Sequence, residues 1–408
     1  MKKLSILLLS FLTLSWAKSQ PAITLRIDPK YARGGTASQL FDEIDYIPLE
    51  SKKESTFGSA QRLQVSRRYF TFFDYSTKSV YIFEKNGKFK GSIGSLPMEE
   101  NADALAMSLF NFVLNKSSEN IYIVYDKGDK KHTKRLAVFD AGGKLLESRQ
   151  LSGAFDELGR SFAFLDGERT IFSSGNYYEK NLSPNYLYIV SNFDSVIDKI
   201  LPKLQNDPLN KSWHNQMDQQ SISGEGAMWY RLYDKTVFYT TIDGTLTSYK
   251  FILPAAITLD STFYGSESVL KSEQSVDIYL QQHQSDVSYL TSLQKTNSVV
   301  GFSFVRYNYS LPSDAYMYSL STGTLYANTR ITPDSLCYSL PLFNASEIAA
   351  MDDGYIYLVI PAFSMFVTAE ANKDQSWKSN PVLSAYFTNA QNRKGNPVLV
   401  QLKLKNTL

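Results

Sequence analysis

The sequence predicts an all-β fold, a six-bladed β-propeller of four-stranded blades. Three observations carry this reading. Past residue 22 the chain is a succession of short, aromatic, alternating segments separated by turn residues. Equivalent turn positions at Gly87, Gly142, Asp194, Gly244 and Gly323 are spaced by 55, 52, 50 and 79 residues. A period near 50 residues with about four strands per unit is the signature of a propeller, and the array counts to about six units. Strand-like segments also stand at both ends of the array, so that the first can complete the last sheet.

The elements follow in order. Met1-Lys2-Lys3 is a basic start, and Leu4 to Ala17 is an apolar run broken only by Ser and Thr. This reads as a secretory signal peptide over residues 1–19, cut after Ala17 or Ser19. The run falls short of the roughly 20 apolar residues of a spanning helix. Cleavage after Ser19 leaves 39 basic against 40 acidic side chains, about −1. Residues 20–408 then form a single propeller domain. An N-terminal lipoprotein needs a Cys directly after the apolar run. The only Cys is Cys337, so the expected location is periplasmic or extracellular, without an N-terminal lipid anchor.

Phe41 to Glu50 is a strand ahead of the first meander. Phe70 to Tyr75 and Val80 to Phe83 are paired strands, followed by Lys85-Asn86-Gly87-Lys88. Asn-Gly between two apolar alternations is the strongest short hairpin signal, because both residues tolerate positive φ. Similar strands lie at Ile121–Asp126, Leu136–Phe139, Tyr186–Val190, Val237–Ile242, Tyr316–Leu320 and Tyr355–Ile360. The 79-residue interval points to an insertion over about 260–289, and Val276, Tyr279, Leu280 and His283 within it have helical spacing. A second excursion is expected over about 363–394, with a short helix between Ser379 and Asn389. Val398 to Lys403 is the closing strand. Joining it to Phe41–Glu50 would pin the ring and remove two exposed sheet edges.

These residues resemble a known family, the secreted six-bladed β-propeller proteins of Bacteroidetes, related in architecture to NHL-repeat propellers. The resemblance rests on Asp45-Tyr46-Ile47-Pro48-Leu49-Glu50, on Val80 to Phe89, and on Asn396-Pro397-Val398-Leu399-Val400. It covers nearly the whole mature chain and implies the fold without implying an activity. The sequence departs from the family at Gly94 to Glu100, where many members have a Gly-Pro-Gly-Glu-like turn, and in lacking their lipid-bearing Cys.

Composition narrows the chemistry. One Cys excludes an internal disulfide framework and a multi-Cys zinc site, and three scattered His argue against a His-rich metal site. A formal charge of +2 gives no basis for binding nucleic acid. Zinc-protease, serine-hydrolase and nucleotide-binding motifs are absent from the sequence. Glu99-Glu100, Asp352-Asp353 and Asp42-Glu43-Asp45 are carboxylate pairs. Neighbours in a strand face opposite ways, so they read as solvated turns and edges rather than as a glycosidase pair. His132 lies in a charged turn, and Cys337 alternates with apolar residues as a buried, inert thiol.

The long polar stretch from Leu201 to Ala227 holds Trp213 and His214. Together with Trp229, Tyr230, Arg231, Arg306 and Tyr307, these residues form the candidate ligand-binding rim, because amphipathic aromatics and Arg suit stacking surfaces. Tyr309 and Trp377 belong to the same group. The expected function is binding of a glycan, peptide or envelope protein through the loop face, with no obligatory cofactor and no transmembrane segment in the mature chain. The alternatives are a lyase or hydrolase with a channel-centred Ca²⁺ or carboxylate site, and a purely structural envelope module.

Overall fold

The computed structural model describes residues 22–98, 102–128, 133–155, 158–165, 169–174, 187–201, 207–212, 217–223, 226–307, 314–343, 348–373 and 375–408. The expected signal segment lies outside them. Within them the protein is mostly β and has the sheet arrangement of a β-propeller. Six separate sheets are built from strands that follow one another as antiparallel meanders.

Sheet one contains Gln61–Val65, Tyr69–Asp74, Ser79–Glu84 and Phe89–Ile93. Sheet two contains Val113–Leu114, Ile121–Asp126, Lys134–Phe139 and Leu145–Gln150. Sheet three contains Leu158–Phe164, Arg169–Ser174, Leu187–Ser191 and Ser195–Lys199. Sheet four runs through Met217–Ser223, Gly226–Arg231, Thr236–Thr241 and Leu246–Ile252. Sheet five runs through Val287–Lys295, Val299–Arg306, Asp314–Ser319 and Leu325–Thr332. Sheet six is assembled from both ends of the chain: Ala350–Asp352, Tyr355–Ile360, Val398–Leu404 and, antiparallel to the last, Phe41–Pro48.

The side-chain alternation of a strand explains the packing. In Tyr69–Asp74 every residue is buried. Phe70 and Phe72 join a cluster with Tyr357 and Leu399 of sheet six, whereas Tyr69 and Phe73 join Ile121, Ile123 and Tyr125 of sheet two. The pattern repeats along the chain. Leu136 and Val138 pack with Phe172 and Val190 of sheet three, and Ile171 and Ile189 pack with Ala227 and Trp229 of sheet four. Met228 and Tyr230 pack with Val300 and Phe302 of sheet five, and Val299 and Met317 pack with Ile356 and Leu358 of sheet six. Each sheet therefore buries both faces, one against the sheet before it and one against the sheet after it. This is where most of the aromatic residues are used.

The first strands of successive sheets touch one another, and that of sheet six touches that of sheet one. The Asn86-Gly87 turn lies at this seam. Gly87 has φ +85°, and a side chain there would run into the Pro48 carbonyl. Asn396 fastens the same place, donating to the carbonyls of Glu50 and Ser55 at 2.8 Å each. The motifs that carried the family resemblance thus meet in space.

Two features differ from the sequence expectation. The fold is mostly β rather than all-β. Helices span Ala102–Phe110, the insertion at Ser261–Gly265, Glu267–Leu270 and Glu273–Gln282, and the C-terminal excursion at Ala362–Ala371 and Pro381–Thr388. Sheets four and five have five strands, because Ile23–Arg26 and Arg33–Thr36 lie parallel along their outer edges.

Candidate functional site

A cleft of about 550 Å³ opens where sheets one and six meet. Sheet one contributes Ser66, Arg67 and Lys85, and sheet six contributes Asp352, Asp353, Tyr355, Tyr357 and Gln401. Lys116 reaches it from the turn between the first two strands of sheet two. In a meander, the turns joining strands one to two and three to four share one end of the sheet. Ser66–Arg68, Lys85–Lys88, Asn115–Asn120 and Asp353–Gly354 are all such turns, and they converge here.

The walls are well held. Ser66 Oγ donates to Glu119 Oε1 at 3.0 Å and accepts from the Tyr69 N–H at 3.1 Å. Arg68 forms an ion pair with Glu119. Burial pushes the Glu119 carboxyl up, but hydrogen bonds from Arg68 and Ser66 outweigh it and hold it below its ordinary value. The Lys85 backbone N–H donates to the Arg68 carbonyl at 2.9 Å. Its ammonium lies 4.3 Å from the Phe70 ring centre and 5.3 Å from that of Tyr357. Those two rings meet edge-on at 5.7 Å across the seam. Lys116 and Asp352 form an ion pair with both side chains largely shielded. Burial lowers Lys85 to about 8, Lys116 adds to the shift, and Asp352 opposes it. Burial also raises the Tyr357 hydroxyl far above its ordinary value. The site therefore offers a half-buried amine near its titration point, a neutralised Lys–Asp pair, an exposed Arg67 and two Tyr rings.

Among the described residues, those of the rim expected from the sequence are engaged in packing, hydrogen bonds and ion pairs. Trp213, His214, Tyr309 and His132 lie outside the described residues. Trp229 is fully buried, its indole N–H donating to Thr240 Oγ1 at 2.9 Å between sheets three and four. Tyr230, on the same strand, packs into the core between sheets four and five. Arg231 is buried in ion pairs with Asp207 and Asp234. Arg306 donates to the Ser285 carbonyl at 3.0 Å, and the Tyr307 hydroxyl accepts from Gln281 Nε2 at 2.9 Å. These last two residues fasten the helical insertion. Trp377 packs edge-on against Phe387 at 4.7 Å in the C-terminal excursion. His283 closes the insertion helix, its Nδ1 2.9 Å from the Tyr279 carbonyl and its ring stacked on Tyr279 at 4.0 Å. Cys337 is buried, and burial lifts its thiol to about 11.

The sequence reading missed the cleft because its parts look like ordinary turns. Lys85-Asn86-Gly87 and Asp352-Asp353-Gly354 are turns, and they lie more than 260 positions apart. Only the joining of sheet six to sheet one brings them together.

Among the described residues, no group of three or more His, Cys, Asp or Glu gathers in a way that could hold a metal ion. No helix among them is long and apolar enough to cross a membrane.

A family model described as "Domain of unknown function (DUF4934)" matches residues 23–403. No curated protein matches the chain significantly. Among solved structures, that of a "Putative exported protein" from Bacteroides fragilis is similar with a TM-score of 0.65 at 15% identity, over 95% of this chain and 100% of that one. At that identity the likeness shows the fold alone. A member of the DUF4221 family from Bacteroides vulgatus has a TM-score of 0.41 at 8% identity, over 90% of this chain and 97% of that one. That score is too low to carry an argument.

Proposed function

The chain belongs to the DUF4934 family, and for it we propose an exported, six-bladed, closed β-propeller that binds a ligand in the cleft at its seam. Six sheets joined by six shared apolar clusters support the closed ring, as does the pairing of Phe41–Pro48 with Val398–Leu404. The resemblance to secreted NHL-like propellers supports the blade count. The signal-like start of the chain supports export to the periplasm or beyond, as does the description of the Bacteroides fragilis relative in fold.

The observation that carries the binding role is the cleft itself. A concave site with a few convergent charged groups on an apolar, aromatic floor is the usual form of a ligand pocket. Its ligand class is a glycan, a peptide or a segment of an envelope protein. The rim around the helical insertion is the weaker location, because its described aromatic and Arg residues are committed to packing and ion pairs.

Glycan and peptide arrays probed with the wild-type chain and with Gln401→Trp test this reading. Gln401 is half-buried on a strand facing the cleft, and Trp suits a strand while filling the space. The proposal expects array hits that fall at least about tenfold in the variant, the factor that accompanies about 1.4 kcal/mol of lost binding. Hits unchanged by the filling, or blank arrays with the wild type, would overturn it.

A further inference from the structure

We propose that the ligand of this cleft is an acidic glycan, with a uronate carboxylate pairing with the Lys85 ammonium and the sugar ring lying against Tyr355. The inference rests on the cleft being the binding site and names what it takes.

The charges come first. The cleft holds three cations, Arg67, Lys85 and Lys116, against two carboxylates, Asp352 and Asp353. Lys116 is already neutralised by Asp352. Lys85 makes no direct ion pair with a carboxylate among the described residues, and Asp352, which acts on it at longer range, is already paired with Lys116. Lys85 sits over the Phe70 and Tyr357 rings at 4.3 and 5.3 Å instead. An ammonium held over apolar rings has lost water without gaining a full counter-charge. A ligand carboxylate supplies what is missing, and the shielded setting strengthens that pair over one in open water.

The class of ligand follows from the walls. An extended peptide would pair its main chain with a free sheet edge. The strands that carry Tyr355, Tyr357 and Gln401 have none, and the edge strand Ala350–Asp352 reaches the cleft at Asp352 alone, with its Met351 N–H already donating to Gln294 Oε1 at 3.3 Å. Tyr355–Ile360 is paired to Ala350–Asp352 on one side and to Val398–Leu404 on the other, which in turn is paired to Phe41–Pro48. The cleft therefore recognises its ligand through side chains. Half-buried Tyr355 offers an aromatic face, and Asp353 and Gln401 offer hydroxyl partners. A ring with one apolar face, several hydroxyls and one acid group matches this set.

A titration signature follows. The groups facing Lys85 are Asp352, Lys116, Asp353, Arg67, Tyr355 and Tyr357. The free amine titrates at about 8, and only its charged form pairs with a carboxylate. Affinity is level below that pH. Above it, binding must first take up a proton, and affinity falls about tenfold per pH unit until the pKa of the complex is reached.

The test is calorimetric titration of the full chain with a trimer of galacturonic acid and with its carboxyl-reduced form, between pH 6 and pH 9. The acidic trimer should bind at least about tenfold tighter than the reduced one, since a hydrogen bond to a charged group contributes roughly that much or more. Lys85→Met should erase both the preference and the fall above pH 8. Lys85→Arg, which stays charged throughout, should keep the preference and lose the fall, and it serves if the Met variant does not fold. Equal binding of the two trimers, abolished by Gln401→Trp, overturns the acid-specific inference and leaves the cleft as the binding site. Binding of neither trimer overturns the inference, while the arrays judge the cleft separately. Binding that survives Gln401→Trp overturns both.

Discussion

Asp74 shows how single residues fix this fold. It is fully buried at the end of a strand in sheet one. Its carboxylate accepts from the N–H groups of Ser59 and Thr77 at 2.8 and 2.9 Å and from the Thr77 hydroxyl at 2.8 Å. Burial pushes the carboxyl up, but these donors outweigh it and hold the group below its ordinary value. A lowered carboxylate contributes stability above its unfolded pKa and loses it as pH falls through the folded value. Asp74→Ala should therefore cost about 2 kcal/mol in denaturant unfolding at neutral pH, and the cost should shrink in acid below the folded pKa. An equal cost at both extremes would contradict the assignment. The same scale shows why the described rim residues are engaged elsewhere. Trp229-Tyr230-Arg231 looks like a polar-aromatic edge when only local sequence is read. With a sheet on either side of it, alternation sends Trp229 into one core and Tyr230 into the next.

At the scale of elements, what was legible followed local period and turn chemistry. The helix expected from the spacing of Val276, Tyr279, Leu280 and His283 appears as Glu273–Gln282, capped by the Ser272 hydroxyl, which accepts from the Ser275 N–H at 3.2 Å. The short helix after Ser379 appears as Pro381–Thr388, with Asn380 as its cap. The two edge strands of the N-terminal segment were not legible. Parallel pairing needs no hairpin turn, and Ile23-Thr24-Leu25-Arg26 has no partner nearby in sequence. Yet Leu25 and Ile27 are buried in the core between sheets four and five, and Ile27 N–H donates to the Ile252 carbonyl at 2.9 Å. The segment covers two edges that would otherwise be open to pairing. Leu25→Ala should cost about 2–5 kcal/mol, the range for truncating a buried Leu. It should also speed hydrogen exchange in Leu246–Ile252. A cost below about 0.5 kcal/mol, the range of surface changes, would mean that the segment merely rests on the sheets.

For the whole molecule, the spacing of turns gave the repeat, and the end strands gave the pairing of Phe41–Pro48 with Val398–Leu404. The functional surface was hidden by the same construction. In the proposed ring, the first and last sheets meet at a seam assembled from both ends of the chain. The cleft forms there from turns that no local pattern connects. That the ligand binds at this seam is the central claim. Hydrogen–deuterium exchange of the full chain, with and without a ligand selected from the arrays, tests it most directly. The account predicts slowed exchange at 66–69, 84–88, 115–119 and 352–357, with the helical insertion unchanged. Protection centred on 261–283 and 306–307, with the seam unaffected, would contradict it.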